Sequence, residues 1–365
     1  MEVTVVSRRF LRMAALGAAL VLVAGACASE DEGSSDTTEA SGGDSSGSEI
    51  TACQVTDTGG VDDRSFNQTA NDGLVQAEDE LGVQGKVLES SSEADFEPNI
   101  KAFVDQDCDL IIPVGFLLDG ATQASAQENP DQKYAIVDVD FFDADAGEDV
   151  SYDNVEELTF ATDQAAFLAG YLAAGTSTTG KVGTYGGINI PTVTIFMDGY
   201  LAGVQQYNAD NGTDVEVLGW DGSDGLFTGD FEDQDKGKQT TKSLIDEGAD
   251  VIMPVAGPVG LGSVEAANEA DGVKLVWVDT DGCISVPDAC DLFLTSVQKK
   301  MDVAVFDSIK SVVDDDFKAG LYTGTLENDG VGIPEMGSDI PEDLAKKVDE
   351  YKAAIISGDQ SVTPS

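Results

Sequence analysis

Short runs of apolar, β-branched residues alternate along the chain with longer segments whose apolar positions recur at helical spacing. The runs predict strands at residues 50–56, 85–89, 110–114, 133–138, 150–152, 181–185, 214–219, 251–255 and 274–279. The longer segments predict helices at residues 65–81, 100–106, 163–174, 190–208, 236–247, 260–270 and 299–313. A strand followed by a helix, repeated many times, is typical of parallel sheets with helices on both faces.

The order of these elements is repeated once along the chain. Residues 98–115 read as a helix, an Asp and a buried strand that contains a Pro, and residues 236–255 show the same features. Each copy is followed by a helix and by a strand that ends in Asp138 or in Asp279. The repeat predicts an α/β fold of two doubly wound parallel-sheet lobes, with two adjacent domains of unrelated role as the alternative.

A ligand cleft is expected between the lobes, because open parallel sheets bind ligands beyond the carboxyl ends of their strands. Asp57 follows a predicted strand, and Asp138 and Asp279 end predicted strands, so all three mark this edge. We expect the lobes to hinge and close on a ligand. The expected crossings lie near residues 153–163, near 294–299 and after 318, which gives an N-terminal lobe of 50–158 with about 299–318 and a C-terminal lobe of 159–298 with about 319–365.

The N-terminus has the layout of an export signal. Basic residues precede an apolar run at residues 16–23, and small residues lead to Cys27. The run is too short for a permanent membrane span, and a Cys at this place is where bacterial lipoproteins are lipidated. We predict a lipoprotein signal peptide over 1–27 with lipidation at Cys27 and membrane contact through the lipid alone. An ordinary signal peptide with a chance Cys is the alternative.

Residues 28–49 are nearly all Ser, Gly, Asp, Glu and Thr, a composition that buries too little apolar surface to fold. They predict a disordered acidic tether that holds the domain about 25 Å from its anchor.

The charge is strongly acidic, with 69 Asp and Glu against 19 Lys and Arg and no His. A chain of this charge repels phosphate backbones, so nucleic acid is excluded as a partner. The acids are spread over the whole length, which favours adaptation to a salty medium over a ligand-steering surface.

Four cysteines besides Cys27 suggest disulfides in an exported protein. Cys283 and Cys290 flank a short loop, and Cys53 and Cys108 begin two strands that are expected to be neighbours. A metal site is the weaker alternative, since the chain has no His and no C-x-x-C pair.

The segment VTDTGGVDDRSFNQ, residues 55–68, carries the clearest candidate site. A strand ends, two glycines permit a tight loop, and Ser65 is placed to cap the following helix. Phe66 and Asn67 then lie in the first helical turn, facing the cleft. Arg64 is the only Arg after Cys27. On spacing alone, Phe66 is equally well explained as a residue that packs the helix onto the sheet.

This segment, together with GKQTTKSLIDEGADVIMPVAGPVGLG and VWVDTDG, resembles the basic membrane protein family of bacterial lipoproteins. The best understood members are purine-nucleoside receptors of ABC importers with the type I periplasmic-binding fold. The resemblance implies stacking rings at Phe66 and at Phe231 of GDFEDQDKGK, with Phe227 as a competitor, and a polar contact at Asn67. It also implies ribose contacts at Asp279 and at the lysine Lys300.

Three further positions join the candidate site by their place in the chain. Asp138 ends the equivalent strand of the first lobe, and Asp63 lies in the loop before Phe66. Gly257 begins a glycine-containing loop at a helix start, which suits either ligand contact or tight packing.

The sequence thus predicts an extracytoplasmic lipoprotein, a monomer without a cofactor, that captures a nucleoside, purine favoured, for the permease of an ABC importer. An enzyme is disfavoured because there is no His and no G-x-S-x-G motif, and because Asp62 and Asp63 adjoin in sequence and so point apart. Another small polar solute such as a sugar or free base, or a non-transport surface lipoprotein, is the alternative.

Overall fold

The computed structural model describes residues 50–143, 147–337 and 340–364. The predicted signal peptide, the predicted lipidation residue Cys27 and the tether lie outside these ranges.

The described residues form strands and helices that alternate along the chain. The strands are β1 Thr51–Thr56, β2 Gln84–Glu89, β3 Leu110–Val114, β4 Lys133–Val137, β5 Phe142–Asp143, β6 Glu148–Asp149, β7 Val155–Phe160, β8 Lys181–Gly186, β9 Glu216–Leu218, β10 Val251–Val255, β11 Lys274–Asp279, β12 Phe293–Lys299, β13 Gly320–Gly324 and β14 Val331–Gly332. The helices are α1 Phe66–Leu81, α2 Phe96–Val104, α3 Asp119–Glu128, α4 Thr162–Thr176, α5 Pro191–Asn211, α6 Gln234–Asp246, α7 Gly260–Asn268, α8 Gly282–Ser285, α9 Met301–Val313 and α10 Glu342–Ser357.

Two large sheets organise the described part of the chain, each with six strands. Their orders are β13-β7-β4-β3-β1-β2 and β14-β12-β11-β10-β8-β9. Neighbouring strands are parallel, apart from β14, which runs antiparallel to β12. The prediction of two doubly wound parallel-sheet lobes is confirmed.

The chain passes between the sheets after β7, after β12 and between β13 and β14. The first sheet is built from β1–β4, β7 and β13, and α9 packs against α1 beside it. The placement of residues 319–365 wholly in the C-terminal lobe is therefore wrong for β13, which pairs with β7 in the first sheet. Its short sequence Gly-Leu-Tyr-Thr-Gly has no long apolar run, so the edge strand left little signal.

The strand predicted at residues 150–152 is also wrong, because the strand of this region is β7. Its sequence Val-Glu-Glu-Leu-Thr-Phe places two acids where a buried strand is usually apolar. Glu157 is nevertheless only 3% exposed, and its carboxylate accepts a hydrogen bond from the Phe141 backbone N–H at 2.9 Å. A backbone donor thus satisfies the buried carboxylate of Glu157. Because acids are unusual in a buried strand, the hydrophobic pattern did not predict β7.

Helices α4 and α5 of the second lobe pack closely against each other. A Cβ at Gly203 would lie 2.1 Å from the Phe167 carbonyl oxygen, and one at Gly170 would lie 2.1 Å from that of Tyr200. Glycine at these positions lets the two backbones touch. The pair presents the start of α5 to the space between the lobes.

The described residues contain two disulfides, one in each lobe. Cys53 in β1 is bonded to Cys108, just before β3, and these strands are parallel neighbours. Cys283 in α8 is bonded to Cys290, which closes the loop between β11 and β12. No helix within the described ranges is long and apolar enough to cross a membrane.

Candidate functional site

A cavity lies between the carboxyl ends of the two sheets. It is lined by Asp57, Thr58, Asp63, Phe66, Asn67, Gly115, Phe116, Asp138, Ile190, Thr192, Val193, Phe196, Phe231, Val255, Ala256, Gly257, Pro258, Val278, Asp279 and Lys299. Seven of the eight sequence-predicted site residues are in this set, and Lys300 is not.

Asp57 and Asn67 form a buried polar pair at one wall. Asp57 follows β1 and Asn67 lies in the first turn of α1, so the ends of two elements bring them together. The Asn67 amide Nδ2 donates to Asp57 Oδ1 at 2.9 Å, while Asn67 Oδ1 is buried without a hydrogen-bond partner among the described residues. An unpartnered acceptor in a cavity wall is available to a ligand donor.

Burial raises the pKa of Asp57 to about 8, and the carboxylates of Asp63, Asp138 and Asp279 add to the shift. The hydrogen bond from Asn67 opposes it without cancelling it. At neutral pH Asp57 is therefore largely protonated, and its carboxyl group carries a donor.

The carboxylate of Asp63 binds backbone N–H groups at the start of α1. Its carboxylate accepts hydrogen bonds from the backbone N–H groups of Ser65, Asn67 and Gln68 at 2.8–3.0 Å. Burial raises its pKa to about 6 against the lowering effect of these donors. The expectation that Ser65 caps α1 is wrong, because its side chain makes no capping bond and its hydroxyl donates to Asp279 Oδ2 at 2.6 Å instead.

Asp138 and Asp279 occupy matching positions in the two lobes. Asp138 directly follows β4 and Asp279 ends β11, and both have a left-handed backbone, with φ of 66° and 68°. This conformation is uncommon for residues other than glycine and is held by surrounding structure where it occurs. Burial raises the pKa of Asp279, and the nearby ammonium of Lys299 works against that rise.

The cavity lysine is Lys299, and the assignment of Lys300 is wrong. Lys299 ends β12, is 2% exposed, forms an ion pair with Asp138 and lies 3.9 Å from Asp279 Oδ1. Successive strand side chains point to opposite sides, so the two lysines cannot both face the cavity. Lys300 lies one position on, at the N-cap of α9.

Aromatic side chains reach the cavity from both lobes. Phe66 comes from α1 and Phe231 from the loop before α6, and the Lys299 ammonium lies 5.2 Å from the centre of the Phe66 ring. Phe196 of α5 lies 4.9 Å from the same ammonium. Phe227 stands outside the lining, with its ring edge-on to Trp220 at 6.1 Å.

In the loop and helix start that begin at Gly257, one glycine lines the cavity and another allows two helices to pack. Gly257 has φ of 51° and lines the cavity, and a Cβ there would meet nothing within 4 Å. A Cβ at Gly262 would lie 2.0 Å from the Gln234 carbonyl oxygen, so this glycine allows α6 and α7 to pack.

Thirteen of the twenty lining residues were not among the predicted site residues, and Asp57, Lys299 and Phe196 are three of them. Asp57 was noticed only as a strand end, although its place after a buried strand and before two glycines was a usable signal. Lys300 was predicted in place of Lys299. In a strand that contains Val297, residues two positions apart share a face, so Lys299 would lie on the same face as Val297. Phe196 lies between Ile195 and Met197 in the largely apolar first half of α5, where the sequence does not separate a lining residue from a core one. No cluster of potential metal ligands occurs in the described part of the chain.

Comparison with known proteins identifies the family. Residues 50–364 match the family model Bmp, described as ABC transporter substrate-binding protein PnrA-like. The chain is 36% identical over 359 residues to the CD4+ T-cell-stimulating antigen of Listeria innocua serovar 6a, covering 93% of this chain and 94% of that protein. It is 32% identical over 372 residues to the ABC transporter nucleoside-binding protein BmpA of Lactococcus lactis subsp. cremoris, covering 96% and 97%.

A solved structure agrees with the fold. An ABC transporter solute-binding protein from Aeropyrum pernix K1 superposes with a TM-score of 0.75 at 30% identity, covering 86% of this chain and 94% of that one. The architecture is that of type I periplasmic binding proteins. The chain belongs to the Bmp family of PnrA-like ABC transporter substrate-binding proteins.

Proposed function

We propose that this protein captures a nucleoside, with purines favoured, between its two lobes and delivers it to the permease of an ABC importer. The observation that carries the proposal is the composition of the cavity. Phe66 and Phe231 reach it from different lobes, and the buried charges of Asp138, Asp279 and Lys299 lie in the same space. Apolar ring faces suit a planar base, and carboxylates suit the hydroxyls of a sugar.

The pair Asp57 and Asn67 suits the edge of a heterocyclic base. Because Asn67 Nδ2 is used on Asp57, its Oδ1 remains an acceptor. Protonated Asp57 supplies a donor beside it. A purine offers a donor next to an acceptor on such an edge, and both partners would then be satisfied.

The charge of the cavity argues against phosphorylated ligands. The acidic residues Asp57, Asp63, Asp138 and Asp279 line the cavity, with Lys299 as the only cationic side chain among its lining residues. That ammonium is already paired with Asp138. A nucleotide would bring negative charge to acidic groups, so we expect it to be rejected.

A thermal-shift panel tests this function. We expect adenosine, guanosine or inosine to raise the melting temperature, because a ligand that binds only the folded state stabilises it by mass action. Ribose and adenosine monophosphate should leave it unchanged. A shift with a sugar or a free base, and none with any nucleoside, would reassign the protein to another small polar solute.

The lipid anchor is part of the proposal and has its own test. The sequence around Cys27 supports attachment to the extracytoplasmic face of the cell membrane. We expect a Cys27→Ala chain to leave the membrane fraction and appear in the soluble exported fraction. Equal membrane retention of both chains would refute anchoring through Cys27.

A further inference from the structure

Arg64, the only Arg after Cys27, stands outside the ligand cavity and bridges the lobes. It belongs to the loop before α1 in the first lobe, and its Nη1 donates to the carbonyl oxygen of Ser285 in the second lobe at 3.0 Å. The side chain is exposed and makes no ion pair with any described carboxylate. In a chain so rich in acids, the guanidinium thus binds a neutral carbonyl of the opposite lobe.

The acceptor is the end of a short, fastened helix. Ser285 ends α8, and the last carbonyls of a helix lack partners within it. The Cys283–Cys290 disulfide closes the segment 283–290. Just before this segment, Asp281 Oδ1 accepts a hydrogen bond from the Cys283 backbone N–H at 2.9 Å. The Gly282 backbone N–H donates to Ser296 Oγ of β12 at 3.0 Å. The carbonyl is therefore presented by a fixed platform.

The backbone around Arg64 makes further contacts with the second lobe. The indole Nε1 of Trp277 donates to the Arg64 carbonyl oxygen at 3.3 Å, and the Ser65 hydroxyl donates to Asp279 at 2.6 Å. Arg64 has φ of 57°, an unfavourable conformation for a side chain with a Cβ. A strained backbone held by cross-lobe bonds precedes Phe66 and Asn67 directly.

We propose that Arg64 and the disulfide-closed segment 283–290 form a latch that holds the lobes shut and sets how long a bound molecule stays. Opening the lobes must break the bond between the guanidinium and the Ser285 carbonyl. Arg64 is thus a positioning residue, and it acts on the ligand through lobe closure and through the helix turn that carries Phe66. This inference rests on the proposed capture of a nucleoside.

The test measures the dissociation rate of a purine nucleoside by stopped-flow displacement. Arg64→Gly removes the guanidinium and relieves the left-handed backbone, so its melting temperature should not fall. A hydrogen bond from a charged donor corresponds to roughly a tenfold change, and we expect release to be about tenfold faster. A Cys283→Ser, Cys290→Ser double variant should also release faster, and adding Arg64→Gly to it should have little further effect.

The matched control is Lys101→Ala, which removes one exposed cation whose ion pair is with Asp105, the C-cap residue of the same helix. It should release the nucleoside at the wild-type rate. Release from Arg64→Gly within twofold of wild type, or equal acceleration in Lys101→Ala, would overturn the latch.

Failure of the proposed function gives a different result. If the wild-type protein binds no nucleoside, the function fails and the latch is judged by small-angle scattering of the unliganded proteins. We then expect a larger radius of gyration for Arg64→Gly than for wild type and Lys101→Ala, and identical profiles would overturn the latch.

Discussion

Buried carboxyl groups outnumber cations around the cavity, and Asp57 shows the consequence most clearly. Its pKa of about 8 lies far above the ordinary value of 3.8, because burial disfavours the charged form. Between these values the unfolded chain has lost the proton and the folded chain keeps it. The free energy of unfolding therefore falls as pH rises through this window, by about 1.4 kcal/mol per pH unit.

Asp57→Asn should remove this pH-dependent cost, because the amide keeps an acceptor for Asn67 and cannot ionise. We expect the variant to be more stable than wild type by a few kcal/mol at pH 8, with the difference shrinking towards pH 4. Urea denaturation across this range measures it. Asp62→Asn, an exposed neighbour, is the control. A difference that stays constant with pH would contradict the assigned titration.

The two candidate rings give a matched pair of substitutions. Phe231→Ala should weaken nucleoside binding by about 5–150-fold, which corresponds to the roughly 1–3 kcal/mol of one stacked base. Phe227→Ala should lower the melting temperature through lost packing on Trp220 and leave the affinity of the folded protein within a few-fold. Calorimetric titration separates the two, and a stronger loss in Phe227→Ala would reverse the ring assignment.

Much of the candidate site was readable from the sequence because its residues lie at element ends. Asp138, Asp279, Phe66 and Asn67 could be placed by the rule that strand ends share an edge. The hydrogen-bond partners of these residues could not be predicted from the sequence. Asp63 accepts from backbone N–H groups and Ser65 donates to Asp279, and the Ser65–Asp279 contact exists only in the folded chain.

At the scale of elements, strand parity decides which of two adjacent lysines faces the cavity. β12 was absent from the predicted strands, because Thr, Ser and Gln interrupt its apolar positions and a lysine ends it. Because no strand was predicted there, Lys300 rested on the family resemblance alone. The structure places Lys299 inside at 2% exposure.

Lys299→Met should leave Asp138 and Asp279 without their cation. We expect stability to fall by about 3–5 kcal/mol, as when one partner of a buried pair is removed, and nucleoside binding to weaken. Lys300→Met should change stability by no more than about 0.5 kcal/mol. Denaturant titration of both variants checks this, and equal effects would contradict the position of Lys299.

For the whole molecule, two lobes were predictable because the strand, helix and Asp pattern occurs twice. The lobe boundaries were not, since the crossings involve β7, β12 and β13, which carry polar residues or very short apolar runs. Long-range pairing rather than local pattern fixes such strands.

The net charge of −50 predicts a strong response to salt. Raising NaCl from about 0.1 M to 1 M shortens the Debye length from about 10 Å to 3 Å and screens the repulsion among acids. We expect the melting temperature to rise over this range. A flat or falling melting temperature would refute salt adaptation as the reason for the acidity.

Native mass spectrometry of the protein purified without added ligand tests the central claim most directly. We expect a bound species with the mass of a purine nucleoside, released on activation and absent from a Phe66→Ala, Phe231→Ala double variant. A wild-type protein that carries a sugar, a free base or another solute in its place would contradict nucleoside capture.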